Sequence, residues 1–146
     1  MAVRVLYLVR HAQHDLDNPT GSELGGGLTP MGIRQAELTA KALAQKPVSS
    51  VHCSSLNRAE ETARIIAREF PHLVIQPTDL LWESIPSMTA KLQVEMPHYT
   101  AQQVAQDRQR AEVAFRKYFK IAKRVDKHDV IVCHGNIIRY FMTLIL

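Results

Sequence analysis

The stretch VRVLYLVRHA, residues 3–12, indicates how this 146-residue chain folds. Residues 3–9 are mostly apolar and include several β-branched side chains, as expected for a parallel strand that is buried on both faces. Arg10 and His11 then open a polar, glycine-rich loop that runs to about residue 28. A buried strand that ends in a polar loop is typical of α/β proteins, in which such loops carry the functional groups.

Strands and helices alternate along the rest of the chain. A helix begins at Thr29 and ends before Pro47, and the segment 79–99 is irregular because Pro86 and Pro97 interrupt it. The other predicted strands cover residues 48–53, 73–75 and 129–133, and the other helices cover 57–70, 100–125 and 136–146. We therefore expect an α/β protein of three layers, α/β/α, with helices on both faces of a largely parallel sheet.

Signals at the helix ends support this assignment. Thr29 is a suitable N-cap, and Pro30 suits the first position of a helix. Asn57, with Glu60 three residues later, is expected to form a capping box. The buried face of the first helix is predicted to contain Ile33, Ala36, Ala40 and Leu43, and that of the second Ile65, Ile66 and Phe70.

Composition limits the classes of function. Residues 1–146 suit one domain, with 46% hydrophobic and 22% charged residues and a net charge of +4. The 18 Lys and Arg residues form no block interleaved with aromatics, so we expect no nucleic-acid partner, whereas a compact anionic substrate fits. Cys53 and Cys133 end apolar runs and are expected to be buried thiols in a reducing compartment.

Neither apolar end of the chain is predicted to be a signal peptide or a membrane-spanning segment. Residues 3–9 are short, and cleaving them as a signal peptide would also remove His11. Residues 137–146 are too few to span a bilayer and contain Arg139. We therefore expect no membrane partner and a cytoplasmic location.

Polar residues follow all four predicted strands. They comprise residues 10–11, 54–55, 82–83 and 134–136. Because the carboxyl ends of parallel strands meet at one edge of a sheet, and ligands bind there, these residues are expected to share a site.

The chemistry that fits this set is phosphoryl transfer. A neutral imidazole such as His11 can accept a phosphoryl group without first losing a proton. Arg10 and Arg58 supply guanidinium forks that match phosphoryl oxygens, and His134, just before a helix, adds a donor. Glu83 is the candidate acid and base for the leaving oxygen and then for water. This scheme needs no metal and no cofactor.

Each of these residues has an ordinary alternative when it is taken singly. His11 could be a loop histidine, Arg58 a solvated helix residue, and Glu83 an exposed carboxylate. His11 and His14 beside a cysteine could imitate a zinc site, although no ligand spacing supports one. The remaining histidines receive no role: His14, His52, His72, His98 and His128. The joint occurrence of two arginines and two histidines at strand ends favours the functional interpretation.

The ordered motifs resemble those of the histidine phosphatase, or phosphoglycerate mutase-like, superfamily. The opening motif is Leu8-Val9-Arg10-His11-Ala12, the second is Cys53-Ser54-Ser55-Leu56-Asn57-Arg58-Ala59, and the last is Val132-Cys133-His134-Gly135-Asn136. Within the superfamily the chain is similar to the PGAM5-type serine/threonine protein phosphatases. The resemblance implies that His11 is phosphorylated, that Arg10, Arg58 and His134 bind phosphate, and that Glu83 is the acid and base.

Three departures from the family pattern shape the expectations. Ala12 replaces a common glycine, and His14 and Asp17 stand where the mutases usually have serine and asparagine. The chain also ends where the family usually adds at least one strand, so we expect a truncated chain. An exposed sheet edge and apolar patch would then predict a homo-oligomer or poor solubility. Two alternatives to a phosphatase stay open: a phosphoglycerate or phosphosugar mutase, and a non-catalytic module that binds a phospho-ligand or a partner.

Overall fold

The computed structural model describes residues 1–17 and 25–146. Part of the predicted loop 10–28, including Gly21, therefore lies outside the described residues. The strands are β1 (Arg4–Arg10), β2 (Ser50–Ser54), β3 (Ile75–Thr78) and β4 (Lys127–Cys133). The helices are α1 (Pro30–Leu43), α2 (Asn57–Ala67), α3 (Ala90–Glu95), α4 (Ala101–Tyr118) and α5 (Gly135–Ile145).

The four strands form a parallel sheet in the order β1-β4-β2-β3. Side chains alternate between the two faces of the central strand β4. Val130 and Val132 pack with buried residues of α1 and α2, whereas Ile131 and Cys133 pack with those of α4 and α5. The three-layer α/β/α prediction with a largely parallel sheet is thus confirmed.

Both cysteines lie in these cores as free, buried thiols, as the sequence predicted. Cys53 belongs to the cluster beneath α1 and α2, and Cys133 to the cluster beneath α4 and α5. Burial raises the pKa of each thiol to about 12. Neither is therefore a thiolate near neutral pH, and neither is suited to nucleophilic chemistry.

Helix α1 begins as predicted, but its buried face differs. The hydroxyl of Thr29 accepts a hydrogen bond from the Gly32 backbone N–H at 3.0 Å, and Pro30 occupies the first turn. Ile33, predicted to be buried, is 41% exposed, while Gly32 is buried. The reason is a close approach: a Cβ at Gly32 would lie 1.9 Å from the backbone oxygen of Gln13.

This approach makes Gly32→Ala a strongly destabilising change. The added methyl group collides with the Gln13 backbone, two residues after His11, so we expect a loss of about 3 kcal/mol, the upper end of overpacking costs. The better helix propensity of alanine offsets only about 1 kcal/mol of the cost. Urea unfolding measures the loss, with Gly135→Ala as the control because its Cβ would meet nothing closer than 3.6 Å. Equal urea midpoints in the two variants would contradict this prediction.

The capping box predicted at the start of α2 is wrong. Leu56 is the N-cap and makes no side-chain capping bond. Asn57 instead donates its side-chain N–H to the backbone oxygen of Gly25 at 2.7 Å, and Glu60 pairs with Arg64 one turn along the helix. Both side chains thus have partners that the local sequence pattern does not show.

Several other bounds, and the content of one segment, also differ from the prediction. Strand β3 begins at Ile75 instead of residue 73, because the Leu73 N–H closes a turn on the Phe70 carbonyl. Helix α4 ends at Tyr118, well before residue 125, and the backbone oxygen of Tyr118 accepts from the Arg4 guanidinium at 3.2 Å. The segment 79–99, predicted to be irregular, contains a 3₁₀ turn at Asp79–Leu81 and helix α3.

The outer strand β1 pairs only with β4 in the described part of the chain. This leaves the other edge of β1 unpaired among the described residues, and the apolar side chains of Ile145 and Leu146 are exposed. Across residues 1–17 and 25–146, no helix has the length and apolar character required to cross a membrane.

Candidate active site

The carboxyl ends of the strands bring the predicted site residues together. Arg10 is the last residue of β1 and pairs with Cys133 at the end of β4, so His11 and His134 emerge side by side. Their ring centroids are 5.1 Å apart. Arg58 lies in the first turn of α2, which follows β2, and Glu83 follows β3 and the 3₁₀ turn.

The His11 imidazole is neutral, with its lone pair on Nε2. Burial lowers its pKa to about 4; the Arg58 charge adds to that shift, whereas the hydrogen bond to Ala12 opposes it. The Arg58 Nε–H donates to His11 Nε2 at 3.3 Å, so Nε2 is an acceptor. The proton therefore sits on Nδ1, which donates to the Ala12 carbonyl at 2.9 Å. This is the tautomer that a nucleophilic Nε2 requires.

The backbone around His11 is held on both sides. The His11 N–H donates to the Cys133 carbonyl at 2.9 Å and extends the β1–β4 pairing by one bond. The Ala12 N–H donates to the Thr62 hydroxyl at 3.0 Å, and that hydroxyl donates to the Arg58 carbonyl at 2.7 Å. Thr62 thus links the segment after His11 to the helix that carries Arg58.

The His134 imidazole is fully buried and also neutral. Burial lowers its pKa to about 3, with Arg58 contributing in the same direction. The Ser54 hydroxyl accepts from the Leu56 N–H at 3.3 Å, so its own hydrogen is free to donate to His134 Nε2, 2.9 Å away. When the Ser54 hydroxyl is the donor, the His134 proton lies on Nδ1, and Nδ1 has no hydrogen-bond partner among the described residues.

The Glu83 carboxyl completes the group. Its Oε2 lies 3.9 Å from His134 Nδ1, and its Oε1 accepts from the Ser84 N–H at 3.2 Å. Burial raises the pKa of Glu83, against the opposing effects of that hydrogen bond and of Arg58 and Arg10. Glu83 therefore keeps a proton to higher pH than an exposed carboxyl does, which suits a general acid.

An open cleft of about 480 Å³ borders this group. His14, which received no role from the sequence, stands edge-on to His11 with ring centroids 5.0 Å apart. Burial, together with Arg58 and Arg10, lowers the pKa of His14 as well. The cleft is lined by Arg10, His11, Ala12, Gln13, His14, Leu16 and Gln35.

A glycine with positive φ lies beside Arg58. Gly25 has a φ of 80°, and a Cβ there would be 3.2 Å from Arg58 Nη1. Asn57 and Glu61 of α2 hold this segment through the Gly25 carbonyl and the Leu28 N–H, both at 2.7 Å. The residues that fix Arg58 from this side were not recognised in the sequence.

The donor atoms could in principle hold a metal ion. One ligand atom from each of His11, Glu83 and His134 lies within 4.8 Å of the others. However, the positive charges of Arg10 and Arg58 act on all three groups and disfavour a cation, whereas they favour an anion such as phosphate. The expectation that no metal is required stays a prediction.

Comparison with known proteins gives consistent relatives. The sequence model of the histidine phosphatase superfamily (branch 1) matches residues 6–146. The human serine/threonine-protein phosphatase PGAM5, mitochondrial, is 38% identical over 151 aligned residues, covering 97% of this chain and 50% of that protein. The Caenorhabditis elegans protein of the same name is 32% identical over 152 residues, with the same coverage of each chain. The chain thus spans about half the length of these curated relatives.

Solved structures agree on the fold. The phosphoglycerate mutase from Plasmodium falciparum is 27% identical, with a TM-score of 0.65 and coverage of 99% of this chain and 69% of that one. The alpha-ribazole phosphatase from Shigella flexneri is 20% identical, with a TM-score of 0.67 and coverage of 95% and 78%. The names of the curated relatives specify mitochondria, so the expectation of a cytoplasmic location receives no support from them.

Proposed function

Because this chain belongs to the histidine phosphatase superfamily, we propose that it is a metal-independent phosphatase that hydrolyses phosphomonoesters through a phosphohistidine at His11. The observation that carries the proposal is the neutral His11 imidazole, whose Nε2 lone pair faces the Arg58 guanidinium at the edge of an open cleft. Arg10, Arg58 and the Nδ1–H of His134 are the groups that bind the phosphoryl oxygens. Glu83 is the acid and base.

In the first step, His11 Nε2 attacks phosphorus and the bond from phosphorus to the ester oxygen breaks. The incoming phosphoryl oxygens draw Arg58 away from Nε2, which frees the lone pair and gives the guanidinium an anionic partner. Protonated Glu83 gives its proton to the leaving oxygen. Nδ1 keeps its proton and its bond to the Ala12 carbonyl, which stabilises the positive charge on the phosphorylated ring.

In the second step, the Glu83 carboxylate removes a proton from water as the water oxygen attacks phosphorus. The P–Nε2 bond breaks, its electron pair returns to His11, and inorganic phosphate leaves. Donation from His134 Nδ1–H and from the amino end of α5 stabilises the phosphoryl oxygens in both steps. Ester and water thus become alcohol and phosphate, and no other reactant is consumed.

The two pKa shifts set the pH window for the first step. His11 is unprotonated above its lowered pKa of about 4, so acid removes the nucleophile. Glu83 has a raised pKa, so it holds the required proton to higher pH than usual and loses it as the pH rises further. Activity is therefore expected to fall on both sides of a window between these two values.

We propose phosphoserine or phosphothreonine in a protein as the substrate, because the curated relatives are named serine/threonine-protein phosphatases. The open cleft beside His11 supports access by an extended phosphorylated chain. A phosphorylated substrate is also the partner that the two guanidinium groups favour.

Hydrolysis of 4-nitrophenyl phosphate in the presence of EDTA tests the proposal. We expect phosphate release that the chelator does not change. Loss of activity with EDTA and its return with added metal would contradict the metal-independent mechanism. Isomerisation of a phosphoglycerate that requires a bisphosphorylated primer would instead identify a mutase, and phosphate binding without turnover would identify a binding module.

The role of Glu83 makes a separate prediction about leaving groups. Glu83→Gln is expected to lower kcat/KM by about 10²-fold for alkyl phosphates, which need a proton on the leaving oxygen. The loss should be small for 2,4-dinitrophenyl phosphate, whose leaving group is stable as an anion. Glu112→Gln is the control, because the Glu112 side chain is 39% exposed and that of Glu83 37%. Equal slowing of both substrates would exclude Glu83 as the acid.

A further inference from the structure

We propose that Asp107 of α4 is a positioning residue that fixes the Glu83 segment over the site. The inference rests on the proposed function, in which Glu83 transfers the proton. Glu83 lies outside the regular helices and strands, so its direction depends on what holds the surrounding backbone. The superfamily resemblance and the motifs at the strand ends assign no role to Asp107.

One turn of α4 binds the backbone at Glu83 and in the residues just after it. Asp107 Oδ2 accepts from the Ile85 N–H at 2.6 Å. Arg108 Nε donates to the Pro86 carbonyl at 2.9 Å, and Arg110 Nη2 reaches the Glu83 carbonyl at 3.4 Å. Three backbone groups in the segment 83–86 are thus held by side chains from a single helical turn.

Asp107 is the centre of this arrangement. Its side chain is buried, and its two oxygens share three donors: the Ile85 N–H, the Tyr99 hydroxyl and the Arg110 guanidinium, the last at 2.6 Å. A buried carboxylate is tolerated only when such partners compensate for the water it has lost. The pairing of Asp107 with Arg110 also orients the guanidinium that reaches the Glu83 carbonyl.

Asparagine cannot replace this carboxylate. The Ile85 N–H and the Arg110 guanidinium bond to different oxygens of Asp107, whereas an asparagine side chain offers only one oxygen. Whichever way the amide is oriented, an N–H of Asn faces another donor. Since Ile85 is only 4% exposed, water does not readily replace the missing acceptor, and the segment must shift.

The shift is expected to appear as a defect in proton transfer. A displacement of about 1 Å at a reacting group can cost up to 10²-fold in rate. We expect Asp107→Asn to lower kcat/KM for an alkyl phosphate by about tenfold and to leave 2,4-dinitrophenyl phosphate nearly unchanged. In the double variant with Glu83→Gln, the substitution at Asp107 should add no further loss, because the group that it positions is already gone.

Asp129→Asn provides a matched control. Asp107 and Asp129 are each 5% exposed and each pair with an arginine; Asp129 pairs with Arg4 at 3.4 Å. Asp129 also accepts from the Ser50 hydroxyl at 2.6 Å, near the amino end of β4 and away from the site. Asp129→Asn should therefore lower the urea midpoint without changing the ratio of rates for the two substrates.

Tyr99→Phe, which removes one donor to Asp107, should change that ratio in the same direction as Asp107→Asn, by about twofold.

The outcomes separate the inference from the function on which it rests. If Asp107→Asn and Tyr99→Phe slow both substrates equally, as a general loss of stability would, the positioning role is overturned. If Asp107→Asn does not fold, the ratio measured in Tyr99→Phe decides alone. If Glu83→Gln itself shows no dependence on the leaving group, the acid role in the proposed function fails, whatever the Asp107 variants do.

Discussion

His11→Ala is expected to abolish the covalent phosphoenzyme and to lower kcat by at least about 10³-fold, because alanine offers no lone pair to phosphorus. The residues that bind phosphate remain: Arg10, Arg58 and His134. Affinity for inorganic phosphate should therefore change little, and the loss should lie in kcat and not in binding. This loss of kcat, with phosphate affinity nearly unchanged, is the largest effect that the proposed mechanism predicts.

The phosphoenzyme can be measured directly. Brief exposure to a ³²P-labelled ester, followed by an alkaline detergent quench that preserves P–N bonds, should leave label on the wild-type peptide that contains His11. His52→Ala is a suitable control, since burial also lowers the pKa of His52, which lies in β2 and bonds to Ser50. Label that persists in His11→Ala would show that another residue is the nucleophile.

The sequence was sufficient to predict the sheet and the edge where the site lies. Apolar runs that end at Val9 and at Cys133 predicted two strands, and parallel strands present their carboxyl ends at one edge. His11 and His134 could therefore be placed together even though 123 positions separate them. Arg58 and Glu83 were placed at the same edge because Arg58 lies in the first turn of the helix after the second predicted strand and Glu83 in the segment after the third.

The supporting residues could not be predicted, because their partners are distant in sequence. Ser54 bonds to the His134 ring from 80 positions away, and Thr62 bonds to Ala12 from 50 positions away. Neither hydroxyl belongs to a local pattern, so only the packed fold identifies its role. The same is true of Asp107, whose three partners come from two segments before α4 and from α4 itself.

Two errors show tertiary contacts prevailing over local signals. The spacing from Asn57 to Glu60 fits a capping box, but the Gly25 carbonyl and Arg64 bind these side chains instead. Helical periodicity placed Ile33 inside, but the buried position belongs to Gly32, where the missing side chain allows contact with the Gln13 backbone. A hydrophobic pattern does not show where a helix comes closest to neighbouring backbone, and here that position is a glycine.

Arg58→Ala is expected to reduce kcat/KM by about 10²-fold, equivalent to about 3 kcal/mol of transition-state stabilisation, by analogy with the loss of an oxyanion donor. Arg58 has two roles, since it bonds to His11 Nε2 before substrate binds and its charge lowers the pKa of His11. Without that charge the pKa of His11 rises. The acid limb of the pH profile should therefore move to higher pH.

Two further variants at α2 isolate the guanidinium group of Arg58. Arg58→Lys keeps the positive charge but not the paired donors of the guanidinium. Its acid limb should therefore lie close to that of the wild type, while its kcat/KM stays reduced. Arg64→Ala, on the same helix, removes a side chain that is 62% exposed and paired with Glu60. It should leave both kcat/KM and the acid limb of the pH profile unchanged. A change below about twofold in Arg58→Ala would contradict the role of Arg58, because a lost oxyanion donor costs far more. An unmoved acid limb would show that Arg58 does not act on His11.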